Sequence, residues 1–463
     1  MGVKMQLNYL GLMKLIPGVQ KPDKRLNFKQ KLKWTGLILI LFFVMSQIMV
    51  WGVDINAVQH FLFLETVLGS SMGSLITLGI GPIVTASIIL QLLVGSGILG
   101  WDMSKEEGKM KFMGTQKILT IFFCFFEAIA FVMFGAIPAA GGNLIALVLI
   151  LQLAGGGILI ILMDEVVSKW GIGSGVSLFI AAGISKTIII RTLSFIGEGG
   201  PTGVIPSAVI NTMSGRPDVA LITLIPLVFT VIVFLFVAYA QSMRVDIPLT
   251  LGRIRGFGYR HPLKFIYASN IPVILTSALL ANLEIFARML SNRGFSLFGT
   301  FNADGQVTGG LMYYISPPNA NTLSNLVVSA VSGVSIPPAA FSWITYFLFM
   351  VIGSIVFSVF WINTAGMDSK TVAKQLHNIG LSIPGFRSDI RIMEEILDKY
   401  IVALSVMGGA FVGILASFAD FTGAFGSGTG ILLTVMIIFN LYEQITQQHL
   451  EDMNPAVRKF FES

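Results

Sequence analysis

Long apolar stretches recur from one end of the chain to the other and are separated by shorter polar or glycine-rich segments. A helix that crosses a bilayer needs about 20 predominantly apolar residues, and backbone hydrogen bonding in lipid requires either helices or a barrel. The stretches are too long and too uniformly apolar for barrel strands, which alternate apolar and polar positions. We therefore predict ten spanning helices, at Trp34 to Trp51, Leu75 to Val94, Ile118 to Ile137, Leu144 to Met163, Val176 to Arg191, Val219 to Ala240, Tyr267 to Leu290, Phe341 to Trp361, Tyr400 to Phe418 and Gly430 to Ile445.

The distribution of basic residues predicts the orientation of these spans. Of the 30 lysines and arginines, 25 fall in the N-terminal segment, the even-numbered connections and the C-terminal tail, against four in the odd-numbered connections and Lys186 within a span. Basic residues concentrate on the cytosolic side, so both termini are predicted to be cytosolic. Five spans in each half give the halves opposite orientations. The expected organisation is a basic cytosolic N-terminal segment (1–33), an N-terminal half (34–193), an external linker (194–218), a C-terminal half (219–445) with cytosolic loops at 242–264 and 363–399, and a cytosolic tail (446–463).

The amino-acid composition also indicates a protein that spans the membrane. Hydrophobic residues make up 54% of the 463 residues and charged residues 12%, whereas a soluble domain carries about 25% charged residues. A soluble enzyme or nucleic-acid-binding domain is therefore excluded. The single cysteine, Cys124, cannot form an intramolecular disulfide, and the four histidines are scattered. We expect no metal, no cofactor and no ATP hydrolysis, because neither metal-ligand spacing nor a phosphate-binding motif is present.

Glu127 and Glu284 are the acidic residues that lie well inside predicted spans. A carboxylate in the bilayer is costly and marks a functional position, either a proton relay or an interhelical hydrogen bond. We favour the hydrogen bond for Glu127, because a proton-driven transporter usually carries several such acids. A secondary transporter of small solutes is the first alternative function. An intramembrane enzyme is the second, although the spans hold no Ser/His, Asp/Asp or His/Glu pair.

Segments outside the spans allow two interpretations each. The N-terminal segment is either a basic surface-lying segment or a disordered tail. His60 to Leu68 is too short to span, so it lies at the interface or folds into a cavity. Arg253, Arg255 and Arg387 either set topology or dock phosphate or carboxylate groups. A small hairpin is predicted around Ala303 to Gly305 in the external loop 291–340.

Several motifs resemble one family over nearly the whole chain. They are LITLGIGPIVT (75–85), WGIGSG (170–175) with LFIAAG (178–183), SNIPVIL (269–275), and GTG (428–430) with YEQ (442–444). These motifs are similar to those of SecY-type protein-translocation channels, and to the archaeal or eukaryotic branch more than the bacterial one. The resemblance implies an all-α fold of ten transmembrane helices in two inverted, pseudo-symmetric five-helix halves. It also implies a pore-forming subunit, not an enzyme, that translocates unfolded secretory polypeptides and releases hydrophobic segments sideways into the bilayer.

The resemblance further implies four groups of functional residues. A pore ring of aliphatic side chains falls on Ile80, Val84, Val176, Ile180, Ile274 and Leu433. A plug runs from about 61 to 70 and includes Phe61, Leu62, Phe63, Leu64, Glu65, Thr66, Val67 and Leu68. The polar cluster of a lateral gate maps to Thr85, Gln116, Glu127 and Asn282, and partner docking maps to Arg253, Arg255 and Arg387.

The family also implies partners and a location. The partners are a SecE-like subunit, a second small beta/gamma-type subunit, a ribosome and/or cytosolic motor, signal sequences and nascent polypeptides, and membrane lipid. The location is the plasma membrane, or the endoplasmic reticulum membrane for a eukaryotic chain.

Overall fold

Helices dominate the described part of the molecule. A computed structural model describes residues 18–24, 26–54, 71–101, 103, 105–134, 136–195, 203–251, 258–268, 270–291, 294–302, 307–317, 339–382, 389–425 and 428–453. In the first half of the chain the helices are α1 (Phe28–Met45), α2 (Gly81–Gly95), α3 (Glu106–Met133), α4 (Asn143–Trp170), α5 (Gly175–Leu193) and the short α6 (Val204–Met213).

The second half adds long helices, short helices and strands. In chain order these are α7 (Pro217–Ser242), β1 (Arg244–Leu251), β2 (Gly258–Lys264), α8 (Ile271–Ser291), β3 (Thr300–Phe301), β4 (Val307–Gly309), α9 (Leu311–Ile315), α10 (Ala339–Thr364), α11 (Ser369–Asn378), β5 (Leu381–Ser382), α12 (Ile390–Phe421) and α13 (Gly428–Met453). Each of the ten predicted spans corresponds to one helix, so the predicted helical membrane fold is confirmed.

Eight helices among the described residues are long and apolar enough to cross a membrane. The other two predicted spans differ for separate reasons. Helix α1 starts before Trp34 and includes three lysines in its first two turns, and α2 has only 15 residues, about 22 Å at 1.5 Å per residue.

The first part of the predicted second span, up to Ile80, forms turns instead of helix. Helix α2 begins only at Gly81, with Pro82 in its first turn, where the missing proline N–H costs nothing. Backbone N–H and C=O groups that are buried outside a helix need other hydrogen-bond partners. The amide of Leu75 supplies one bond by donating to the carbonyl of Ile48 at 2.9 Å. The hydrophobic pattern could not show this change, because the turns are as apolar as the helix.

Three hydrophobic clusters form the interior. The largest, here the central cluster, draws buried residues from Ile38 to Ile437 and therefore from both halves of the chain. The N-terminal cluster lies around α3 and α4, within Val50 to Ala154. The sheet cluster lies under β1, β2, α11 and α12, within Ile247 to Leu404. The contact between the halves is thus the main core of the molecule.

A three-stranded sheet, in the order β2-β1-β5, was not predicted. It joins the two predicted cytosolic loops, because β1 and β2 come from 242–264 and β5 comes from 363–399. Strand β1 pairs antiparallel with β2 from Arg244↔Lys264 to Thr250↔Gly258. Strands β3 and β4 also pair antiparallel, which agrees with the hairpin predicted in the external loop, although Ala303 to Gly305 lie outside the described residues.

Candidate functional site

The six predicted ring positions lie at the ends of four helices. Ile80 precedes α2 directly and Val84 lies in its first turn, Val176 and Ile180 lie in the first two turns of α5, Ile274 lies in the first turn of α8, and Leu433 lies in the second turn of α13. Five of them are buried members of the central cluster, and the partly buried Val176 packs against it. Two helices come from each half, so these side chains belong to the core between the halves.

A chain of hydrogen bonds links three of the four predicted gate residues. The hydroxyl of Thr85 on α2 lies 2.9 Å from Oε1 of Glu127 on α3. The side-chain amide of Asn282 on α8 donates to the same hydroxyl oxygen at 3.0 Å. These three residues, here the polar chain, join helices from both halves. Glu127 is 6% exposed, so its bond is an interhelical contact within the protein.

Gln116, the fourth predicted gate residue, lies apart from the polar chain. It precedes Glu127 on α3 by 11 residues, about 16 Å along the helix axis. Its side-chain amide donates instead to the hydroxyl of Ser87 on α2 at 2.6 Å. Ser87 was missed by sequence reasoning, because a serine in an apolar helix usually bonds within its own backbone, as this one also does to Ile83 at 2.8 Å.

An apolar cavity of about 210 Å³ lies beside the polar chain, between α2, α3 and α8. Its wall combines the three polar residues with large aliphatic and aromatic side chains, among them Ile88, Ile89, Phe123, Leu279 and Met289. Phe126 of α3 and Phe286 of α8 also line it, with ring centroids 6.5 Å apart. A cavity of this character accepts an apolar side chain, and Thr85, Glu127 and Asn282 supply the hydrogen-bonding groups of its wall.

The sheet is attached to the helices by an ion-pair cluster. Glu443 on α13 pairs with Arg244 at 3.4 Å and also with Lys264, which face each other at one end of the β1–β2 pair. Burial lowers the pKa of His261 on β2. Burial, with a smaller contribution from Asp368, raises the pKa of Tyr267 to about 12. His261 and Tyr267 both line a cavity of about 650 Å³ between the sheet and α11.

The predicted docking arginines and plug lie outside the described residues. Arg253 and Arg255 fall between β1 and β2 in the sequence, Arg387 falls between β5 and α12, and the plug positions Phe61 to Leu68 precede α2. The structure therefore places the elements that flank these positions and not the positions themselves.

Residues 18–20, which lie within the predicted N-terminal segment, are bound to helix α4. The amide of Val19 donates to Glu165 at 2.8 Å, Lys169 donates to the carbonyl of Val19 at 2.6 Å, and the indole of Trp170 donates to the carbonyl of Gln20 at 2.8 Å. Residues 18–20 are therefore held by protein groups, whereas residues 1–17 of the predicted segment lie outside the described residues.

A second buried polar cluster was also missed. Asp420 at the end of α12 accepts a hydrogen bond from the hydroxyl of Tyr346 on α10 at 2.7 Å and another from the hydroxyl of Thr429 on α13 at 2.5 Å. Asp420 lies near the end of a predicted span, so its sequence position alone resembled that of an ordinary polar residue at a helix end.

Long apolar helices in two halves, joined by an aliphatic core and by the polar chain beside an apolar cavity, define a polytopic membrane protein. The comparisons with known proteins agree with that class. The family model described as SecY matches residues 74–442. A protein translocase subunit SecY from Methanococcus vannielii is 45% identical over 449 residues, which cover 97% of this chain and 98% of the relative.

Solved structures give the same result. A protein-conducting channel matches with a TM-score of 0.84 and 42% identity, covering 97% of this chain and 99% of the other. Sec61 in a canine ribosome–channel complex from the endoplasmic reticulum matches with a TM-score of 0.81 and 42% identity, with the same coverage. The chain belongs to the SecY family. It is the pore-forming subunit of a protein-translocation channel.

Proposed function

We propose that this subunit is a passive conduit whose resting seal is the ring of Ile80, Val84, Val176, Ile180, Ile274 and Leu433. The observation that carries the proposal is that all six side chains belong to, or pack against, one core cluster built from both halves. Branched apolar side chains form a dewetted neck that opposes ions. They also offer no hydrogen bonds that would hold a passing peptide. Energy for movement comes from a partner.

The polar chain and the adjacent cavity act as the lateral gate. Interhelical hydrogen bonds in membranes contribute about 0.6 kcal/mol each, so the two bonds that Thr85 makes with Glu127 and Asn282 stabilise the closed gate only weakly. A leucine favours the bilayer by up to about 0.6 kcal/mol, and an arginine opposes insertion by about 3 kcal/mol. The free energy that a run of about 20 apolar residues gains in the bilayer therefore exceeds that of the two hydrogen bonds, and the run leaves sideways into lipid. A polar run stays in the conduit.

The segment Phe61 to Leu68 acts as the plug, and Arg253, Arg255 and Arg387 dock a ribosome or a cytosolic motor. The similarity to Sec61 in a ribosome–channel complex supports a ribosome as partner. A SecE-like subunit clamps the two halves, 34–193 and 219–445, and a second small beta/gamma-type subunit is a further partner. Both termini are cytosolic, as the bias of basic residues indicates. The plasma membrane is the location, because the relative with 45% identity is archaeal.

Cross-linking of a stalled, membrane-targeted nascent chain tests this function. Photo-cross-linkers are placed singly at Ile80, Ile274 and Leu433, at the gate residue Asn282, and at Ile189, which is 59% exposed on α5 and serves as the control. We expect the ring positions to capture the translocating part of the chain and Asn282 to capture the signal sequence. Capture at Ile189 with none at the ring would contradict the seal, and capture of the signal sequence away from Asn282 would contradict the gate.

A further inference from the structure

The buried carboxylate of Asp420 joins three helices of the C-terminal half. It is 5% exposed, and its partners Tyr346 and Thr429 are 1% and 0% exposed. One carboxylate oxygen accepts from both hydroxyls, at 2.7 and 2.5 Å. The other oxygen lies 3.4 Å from the backbone amide of Thr429. Because a buried charge is costly unless it is paired or hydrogen-bonded, this geometry restrains α10, α12 and α13 against one another.

The entry to α13 is held from a second side as well. The amide of Phe425 donates to the hydroxyl of Thr230 on α7 at 3.1 Å. Anchors at Phe425 and Thr429 thus lie on both sides of residues 426–427. Helix α13 begins at Gly428, so its starting position is set relative to α7, α10 and α12.

The ring residue Leu433 follows Thr429 by four residues, which is about one helical turn and 6 Å along α13. Residues four apart lie on the same helix face, so a shift of the anchored Thr429 moves Leu433 with it. Contacts between apolar side chains are short-ranged, and a gap of 0.5–1 Å already removes roughly a quarter to a half of their attraction. A small displacement of α13 is therefore enough to loosen a seal made of such contacts.

We propose that Asp420 is a positioning residue of the seal, which fixes Leu433 in the ring by holding the first turn of α13 through Thr429 and by holding α10 through Tyr346. This role rests on the ring proposed above. It assigns a function to three buried residues of the C-terminal half, Asp420, Tyr346 and Thr429.

Resting ion conductance of the reconstituted complex in planar bilayers tests the role of Asp420. Thr429→Val keeps the side-chain shape but removes the hydroxyl, and we expect resting conductance to rise about threefold, as the loss of one membrane hydrogen bond would produce. Thr429→Ser restores the hydroxyl and should restore the low conductance. Tyr346→Phe removes the other hydroxyl and should also raise the leak. Ser358→Ala is the matched control, because Ser358 is fully buried and donates to the carbonyl of Ser405 at 2.8 Å, between α10 and α12 only.

Two results separate this role from the ring itself. Leu433→Ser is measured in parallel, and amounts of folded complex are compared for every variant. A leak in Leu433→Ser but not in Thr429→Val or Tyr346→Phe would overturn the role of Asp420 and leave the ring intact. No leak in Leu433→Ser would overturn the ring and, with it, the positioning role. A leak of equal size in Ser358→Ala would show general loosening of the helices and would also overturn the role.

Discussion

Pro82 and Pro272 are each the second residue of a helix, α2 and α8, and each is followed two residues later by a ring position. Val84 and Ile274 therefore occupy the same place in corresponding helices of the two halves. Both are buried in the central cluster. The proposed seal thus repeats one local arrangement, in which a proline starts a helix and a branched side chain in the first turn points into the core.

Replacing Ile80 and Ile274 together with serine should raise ion conductance through the resting channel, because two hydroxyls at the neck favour its hydration. The measurement is current across planar bilayers that contain the reconstituted complex. Ile189→Ser with Ile232→Ser is the matched control, since these isoleucines are 59% and 50% exposed and lie outside the central cluster. If the ring variant conducts no more than the unmodified channel, the result would argue against the ring.

Close helix packing depends on glycines whose positions the sequence shows but whose neighbours it does not. On α12, a Cβ at Gly413 would meet the carbonyl oxygen of Met350 at 2.8 Å. Among the glycines of the described residues, the closest approach is on another helix. A Cβ at Gly156 on α4 would lie 1.8 Å from the carbonyl oxygen of Leu75. Small residues let backbones approach in this way in membranes, and here the approach fixes the turns that lead into α2.

Gly156→Ala should destabilise the folded subunit by about 1–3 kcal/mol, because the added methyl group forces the backbone apart. Gly155→Ala is an internal control on the same helix, since a Cβ at Gly155 would meet nothing within 4 Å. The fraction that remains monodisperse after heating in detergent gives the comparison. Equal thermal stability of the two variants would show that the turns before α2 can move away at little cost.

The two halves, the sheet and the helices form one connected assembly. The sheet is ion-paired to α13 through Glu443, and α13 also carries Leu433. In the sequence, the proposed docking arginines lie in the connections next to strands β1, β2 and β5. Under the proposed function, a partner that binds there acts on a sheet that is ion-paired to the helix carrying Leu433.

Arg387→Glu should weaken binding of a ribosome or motor about tenfold, because a charged hydrogen bond is lost and a repulsive charge is added. The amount of folded protein should change little. Lys399→Glu gives the same change in net charge on α12, where its side chain is 71% exposed, and should have a smaller effect. Binding is measured by co-sedimentation at physiological salt, and unchanged binding of Arg387→Glu would leave that residue a determinant of topology only.

The helices could be predicted because lipid exposure makes their signal long and uniform. The sheet could not, although Val245, Ile247 and Leu249 alternate with polar or proline positions and Ile247 and Leu249 are buried. Pro248 within that run and the nearby arginines indicated a loop. Only Thr250 and Leu251 of β1 pair with β5, so Pro248 does not need a backbone amide to bond to that neighbouring strand.

The polar contacts show a different limit of prediction. Thr85 and Asn282 are 197 residues apart in the sequence, and only the family resemblance grouped them. Ser87 and Thr429 gave no local signal, because a hydroxyl in an apolar helix looks the same whether it bonds its own backbone or a distant side chain.

The different spreads of the three clusters along the chain set an order of assembly. The buried residues of the N-terminal cluster end at Ala154, with Ile285 packed against them, and those of the sheet cluster end at Leu404, so both can form while synthesis is still under way. The central cluster includes Ile437 and is finished only when α13 has been made. A growing copy therefore lacks a complete core between its two halves until the last helix has been made, and the proposed seal is finished at the same step, because Leu433 belongs to that helix.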